Sequence, residues 1–217
     1  MCPLHVSQRR PSAPLPPPPP AQKPPPAGLR AQAWVAAQPD SWAAHLYLAR
    51  ALLEHGNAEQ AGLAALNALK LTQGRAVEDT GMAQVIQVLV EARSRLGHLQ
   101  AVEHYCRQWI KLEPDNPDPR LYLALAALGA RRWQDAFQEA GRFLELLAAY
   151  QQDSNPVRPF MVKTASRRSQ ALAVRLLAAE RLGRDGEARA AQRELEEAEG
   201  GAEALAAVRA VMEEGRA

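Results

Sequence analysis

From Ala83 to Asn116 the sequence reads as one helix, a turn at Gly97 and a second helix that closes on Pro114. At Pro117, 34 residues after Ala83, the same plan starts again. Two Ala-rich helix pairs in register at a fixed interval constrain the fold more than any other feature. One such pair cannot bury its apolar face alone, so consecutive pairs must stack on one another. Composition agrees. The chain is 47% hydrophobic but only 5% aromatic, so most of its apolar volume is Ala and Leu. Those residues favour closely packed helices over strands, which draw on β-branched and aromatic side chains.

In chain order, residues 1–26 hold 11 of the 17 prolines, five of them consecutive from Pro16 to Pro20. Proline fixes φ and lacks the amide donor, so this segment reads as a disordered, extended tail. It could serve as a ligand for an aromatic-grooved domain, but no basic residue flanks a PxxP at the usual offset. A tether is the simpler reading. Order is expected from residue 28, and residues 28–215 form one all-α domain. A half-unit spans 28–39 and stops at Pro39. Units follow at about 42–75, 83–116, 117–150 and 169–202, and a solvating cap helix covers 202–214.

In the first unit, Leu48, Ala49 and Leu52 are expected to be buried. Asn57 is placed to cap the second helix, where Ala61, Ala65 and Ala68 form one small-residue face. Residues 76–82 read as a loop. Unit two buries Leu89, Val90, Val102, Cys106 and Trp109. Unit three opens at Asn116-Pro117 and packs Leu123, Ala124 and Ala127 against Ala136, Ala140 and Phe143, with Gly129-Ala130 replacing a turn glycine. Residues 151–168 break the pattern at Asn155-Pro156 and Pro159 and form either a long loop or an extension of the next helix. Unit four turns at Gly183, with Asp185 capping its second helix.

Several of these offsets together resemble the tetratricopeptide repeat family. Its first-helix positions fall on His45, Leu48, Ala49 and Leu52, and again on Arg120, Leu123, Ala124 and Ala127. The turn glycine stands five residues before a small residue at Gly56–Ala61 and Gly183–Ala188, and the closing proline is kept at Pro39 and Pro114. The family's aromatics are mostly replaced. The resemblance implies a right-handed α-solenoid whose first helices line a concave groove for a partner peptide or helix. Carried over by register, the groove residues are Leu46, Arg50 and Leu53, then Gln84, Gln87, Glu91 and Ser94, then Leu121, Leu125 and Leu128. Relatives that clamp a C-terminal carboxylate use Lys and Asn where this chain has Leu46, Arg50, Val88, Asp118 and Tyr122, so that mode of binding is disfavoured.

The net charge of +2 implies no general affinity for nucleic acid. Its distribution is uneven. Residues 154–175 carry Arg158, Lys163, Arg167, Arg168 and Arg175 with no acid, and the first four of these form a candidate anion patch. The five histidines form no metal-binding spacing, and no phosphate-binding glycine loop or nucleophile elbow occurs. Cys106 has no evident paired base and reads as a packing group. No cofactor, metal or catalytic residue is expected. The longest apolar run, Leu121 to Ala130, has core-helix length, so no transmembrane helix is expected. With no apolar signal run and two cysteines in unlike settings, a cytoplasmic location is expected. The function expected is a non-enzymatic protein-interaction scaffold. The alternatives are an accessory repeat domain of a bacterial envelope, secretion or glycosyltransferase assembly, and an anion or nucleic-acid binder acting through 158–175.

The tail yields a first prediction. A segment so poor in periodic apolar residues buries little. Deleting residues 1–26 is expected to move the thermal midpoint by less than about 2 °C, below the shift of a 1 kcal/mol change. A fall of several degrees would show that the tail packs on the helices.

Overall fold

In the computed structural model, residues 27–73, 79–152 and 164–214 are described. Among them are ten helices and no strand. The half-unit is α1 (Ala27–Ala37). Unit one is α2 (Trp42–Glu54) with α3 (Ala58–Thr72), and unit two is α4 (Asp79–Arg95) with α5 (Leu99–Leu112). Unit three is α6 (Asp118–Gly129) with α7 (Trp133–Gln152), and unit four is α8 (Thr164–Arg181) with α9 (Asp185–Glu197). The C-terminal helix is α10 (Gly201–Glu214). Each helix packs on the next in sequence, and the first helices also touch in the order α2, α4, α6, α8. This is an all-α, repeat-like architecture.

The same hydrogen bonds close the turn in every unit. Gly97 N–H donates to the Ser94 carbonyl and His98 N–H to that of Arg93. Arg131 and Arg132 repeat the pair with Leu128 and Ala127, each 34 residues on. Asn57 bonds back to Leu52, and Arg184 to Ala179, in the same way. The turn residue has positive φ each time: 78° at Gly56, 69° at Gly97, 57° at Arg131 and 68° at Gly183. Unit three therefore does not turn at Gly129-Ala130. Gly129 is still helical, and Arg131 takes the left-handed position in place of a glycine, at a cost of about 1–2 kcal/mol to an L-residue.

Other boundaries also shift from the sequence reading. Asp79 to Met82, read as loop, are the first turn of α4. α8 starts at Thr164, five residues ahead of the Ser169 start, so the break at 151–168 partly belongs to the helix. α6 starts at Asp118, whose N–H donates to Asn116 Oδ1 at 2.9 Å. Asn57 caps α3 as expected, its Oδ1 accepting from Gln60 N–H at 3.1 Å. Asp185 is not a cap but the first residue of α9, where its charge suits the helix N-terminus. The tail lies outside the described residues.

The small-residue faces are the seams between helices. Ala61, Ala65 and Ala68 are fully buried, as are Ala124, Ala136 and Ala140. Larger groups fill the spaces between: Trp109 and Phe143 are each only 1% exposed. Leu48 and Leu52 are half-buried, packed at the edge of the α2–α4 core.

Ala136 is sealed at a helix contact, whereas Gln134, two residues away, is exposed. Ala136→Leu is expected to overpack the seam and cost roughly 1–3 kcal/mol, and Gln134→Leu to cost less than about 0.5 kcal/mol. Urea unfolding of the two variants measures both. Equal losses would mean that this seam is not where the register puts it.

Candidate functional site: the first-helix face

Alternate helices α2, α4, α6 and α8 bring one residue set side by side. Arg50 of α2 reaches α4, where its Nη2 donates to Gln84 Oε1 at 3.2 Å. Between these helices is a cleft of about 530 Å³ lined by Arg50, Glu54, Gln87 and Glu91, with the nearly covered Leu53 and Val88 also in its lining. Four of the ten groove residues named from the repeat register, Arg50, Leu53, Gln87 and Glu91, thus line one cleft. Arg95 completes it. Its Nη2 donates to Glu91 at 2.7 Å and its Nη1 to the Leu53 carbonyl oxygen at 2.6 Å. The sequence reading left Arg95 out, although its position four residues after Glu91 on one helix signals such a pair.

The leucines behave differently from an open groove. Leu46 and Leu53 are each 5% exposed and Leu121 3%. Leu46 and Leu53 belong to one buried core with the alanines of α3 and with Val85, Val88 and Leu89 of α4. Leu121 is enclosed by Phe143, Leu147 and Ala171. Leu128 is fully buried. Leu125 is half-buried, with α10 as a neighbour of its helix. Among the described residues, the face offers the polar α2–α4 cleft and a smaller pocket beside Ser94, Tyr122 and Leu125, not a leucine stripe spanning three units.

Further along, charge is buried between first helices. Arg167 of α8 forms an ion pair with Asp118 at the start of α6, and the Asp118 side chain is 9% exposed. Burial works against the Arg167 charge, but Asp118 facing and bonding to it holds the guanidinium above its ordinary value. Tyr122, one turn on in α6, is pushed up to about 12 by burial and by Glu91, with Arg167 pulling the other way and Asp118 adding to the rise. Arg168 pairs with Glu194 of α9 at 3.0 Å. Arg175 lies with its guanidinium 5.2 Å from the Phe137 ring centre, which accounts for an arginine where the repeat pattern has leucine. Of the candidate anion patch, Arg167 and Arg168 are thus neutralised by acids distant in sequence, while Arg158 and Lys163 lie outside the described residues.

Burial raises the Cys106 thiol far above its ordinary value, with Glu139 and Glu103 adding to the effect, so it stays protonated at neutral pH. Among the described residues, no group of three or more His, Cys, Asp or Glu could hold a metal ion, and no helix is long and apolar enough to cross a membrane. No protein-family profile matches the chain, and no curated protein matches it at a significant level.

Tyr122 gives a pH prediction. A phenol whose folded pKa is raised contributes stability that is present below the ordinary value of 10.0 and is lost as pH rises through about 12. Discounted for partial exposure, the loss is roughly 1–2 kcal/mol. Tyr122→Phe is expected to unfold less steeply than the parent between about pH 10 and 12. Denaturant midpoints across that range measure it, and parallel curves for the two proteins would rule out the raised phenol.

Proposed function

We propose that this protein is a non-enzymatic interaction scaffold of tetratricopeptide-repeat kind. In this reading the helix pairs wind into a right-handed superhelix with the first helices on its concave side. A partner peptide or helix docks in the cleft between α2 and α4. The observation that carries the reading is the meeting of Arg50, Gln87 and Glu91 in one mostly polar cleft between α2 and α4. In this reading the cleft's placed polar groups orient the partner segment.

The charges define the partner segment. Arg50 hydrogen-bonds the neutral Gln84 and, among the described residues, no carboxylate. It is available to an acid on the partner. Glu91 is engaged by Arg95, so a partner base must compete for it. Such charges fix orientation and reject wrong partners more than they add affinity. The anion-binding alternative draws less support, since Arg167 and Arg168 already have acids.

Affinity capture with the full chain followed by titration of the captured partner tests the proposal. Arg50→Glu is expected to weaken binding by roughly 1–3 kcal/mol, with the thermal midpoint unchanged. Arg142→Glu, at an exposed pair with Glu145 on α7, is the control and should bind as the parent does. Equal binding by Arg50→Glu and the parent would remove the α2–α4 cleft as the site.

A further inference from the structure

The Phe137 ring of α7 lies against two positive charges. The Arg175 guanidinium of α8 is 5.2 Å from its centre and that of Arg184 is 4.8 Å. The two guanidiniums therefore lie within about 10 Å of one another, one Debye length at 0.1 M salt. One turn earlier in α7, Trp133 meets a third, with Arg181 5.7 Å from its ring. Their neighbours do not balance these charges. Arg184 Nη2 donates to the neutral Gln134 Oε1 at 2.8 Å, and among the described residues none of the three arginines forms an ion pair.

Packing and helix electrostatics do not account for all three. Arg181 is in the last turn of α8, where a cation suits the helix dipole. Arg184 stands directly before α9 and makes no side-chain cap bond, so its charge opposes the positive end of that helix. Arg175 is in mid-helix and half-buried. Its Nε is buried without a hydrogen-bond partner, and its Nη atoms form no bond either. A ring face contributes about 0.5–2 kcal/mol to such a cation. A buried donor left unpaired costs about 1–3 kcal/mol. α7 and α9 each pack on α8 but not on one another, so guanidiniums rather than a helix contact occupy the space beside Phe137. Breaches of local rules that no contact offsets mark functional positions.

We infer that Arg175, Arg181 and Arg184, with the Trp133 and Phe137 rings, form a binding site for a phosphate monoester. Three cations exceed what one carboxylate balances. They suit a group with close to two negative charges and three acceptor oxygens at neutral pH. Arginine presents a fork of N–H donors that holds phosphate bidentately. Both rings are half-buried and offer their remaining surface to the organic part of the ester. The site is independent of the α2–α4 cleft and of the acid-paired Arg167 and Arg168.

The test follows arginine Cζ signals by NMR in the full chain while phenyl phosphate replaces chloride at constant ionic strength. The pH is held at about 7.5, above the second phosphate pKa. The signals of Arg175, Arg181 and Arg184 are expected to shift and saturate, while that of Arg142, paired with Glu145 on α7, stays in place. Arg175→Leu and Arg184→Gln are each expected to weaken binding at least about tenfold, and Arg142→Gln to leave it unchanged. Inorganic phosphate should bind several-fold more weakly than the ester, and benzoate more weakly still. Shifts that do not saturate, equal shifts at Arg142, or unchanged affinity in either variant would overturn the inference. Tighter binding of benzoate would overturn the phosphate assignment, and tighter binding of inorganic phosphate the ester. The titration of the parent chain decides the matter even if a variant does not fold.

Discussion

Close approach of helices through alanine is the constraint on which this structure depends. Ala44, Ala49, Ala61, Ala65, Ala68, Ala124, Ala136 and Ala140 have no exposed surface, and in α8 Ala171, Ala173, Ala178 and Ala179 have none either. A side chain of one methyl group loses no rotamer freedom on burial and lets two backbones approach closely. Each contact contributes little, so many must occur together, and the units gain stability mainly by stacking. The few large residues, Trp109 and Phe143 above all, then fill spaces that alanine cannot.

That closeness also governs what the surface offers. Leucines that a more open repeat would present to a partner are buried here, as Leu46 and Leu53 are in the core that α2 shares with α3 and α4. Polar groups at the same seam stay accessible, which leaves Arg50 and Gln87 around the α2–α4 cleft. Toward the C-terminus the balance reverses. Asp118 and Arg167 are drawn into the seam between α6 and α8, and α10 lies on the apolar remainder. A pair so buried adds specificity to the α6–α8 contact more than net stability. Its partners come from the segment that looks unpaired when only neighbours in sequence are counted.

Helix order and the seams were legible in the sequence because both repeat locally. Ala61, Ala65 and Ala68 announce their face by spacing alone, and Gly56, Gly97 and Gly183 announce their turns by residue type. Arg131 could not be found that way, since nothing in an arginine signals positive φ; only counting 34 residues from Gly97 reveals it. The pairing of Arg167 with Asp118 was hidden for a different reason. It joins residues from two units, across a break in the interval. The reach of α10 depends on the Gly200-Gly201 corner, whose sequence marks an end but not a direction. That Arg50, Gln87 and Glu91 would lie near one another was legible from the register, and Arg95 would have followed from its spacing to Glu91.

The central claim is that first helices of successive units lie side by side, so that Arg50 of α2 meets Gln84 of α4. Chemical crosslinking tests it directly. In a chain with Cys2→Ser and Cys106→Ala, cysteines are placed by Arg50→Cys and Gln84→Cys and treated with a short bismaleimide. The account predicts rapid intramolecular crosslinking in the native protein, abolished in denaturant, and none for a control that pairs Arg50→Cys with His104→Cys on α5. Failure of the 50–84 pair to crosslink, or equal crosslinking of the control, would contradict it.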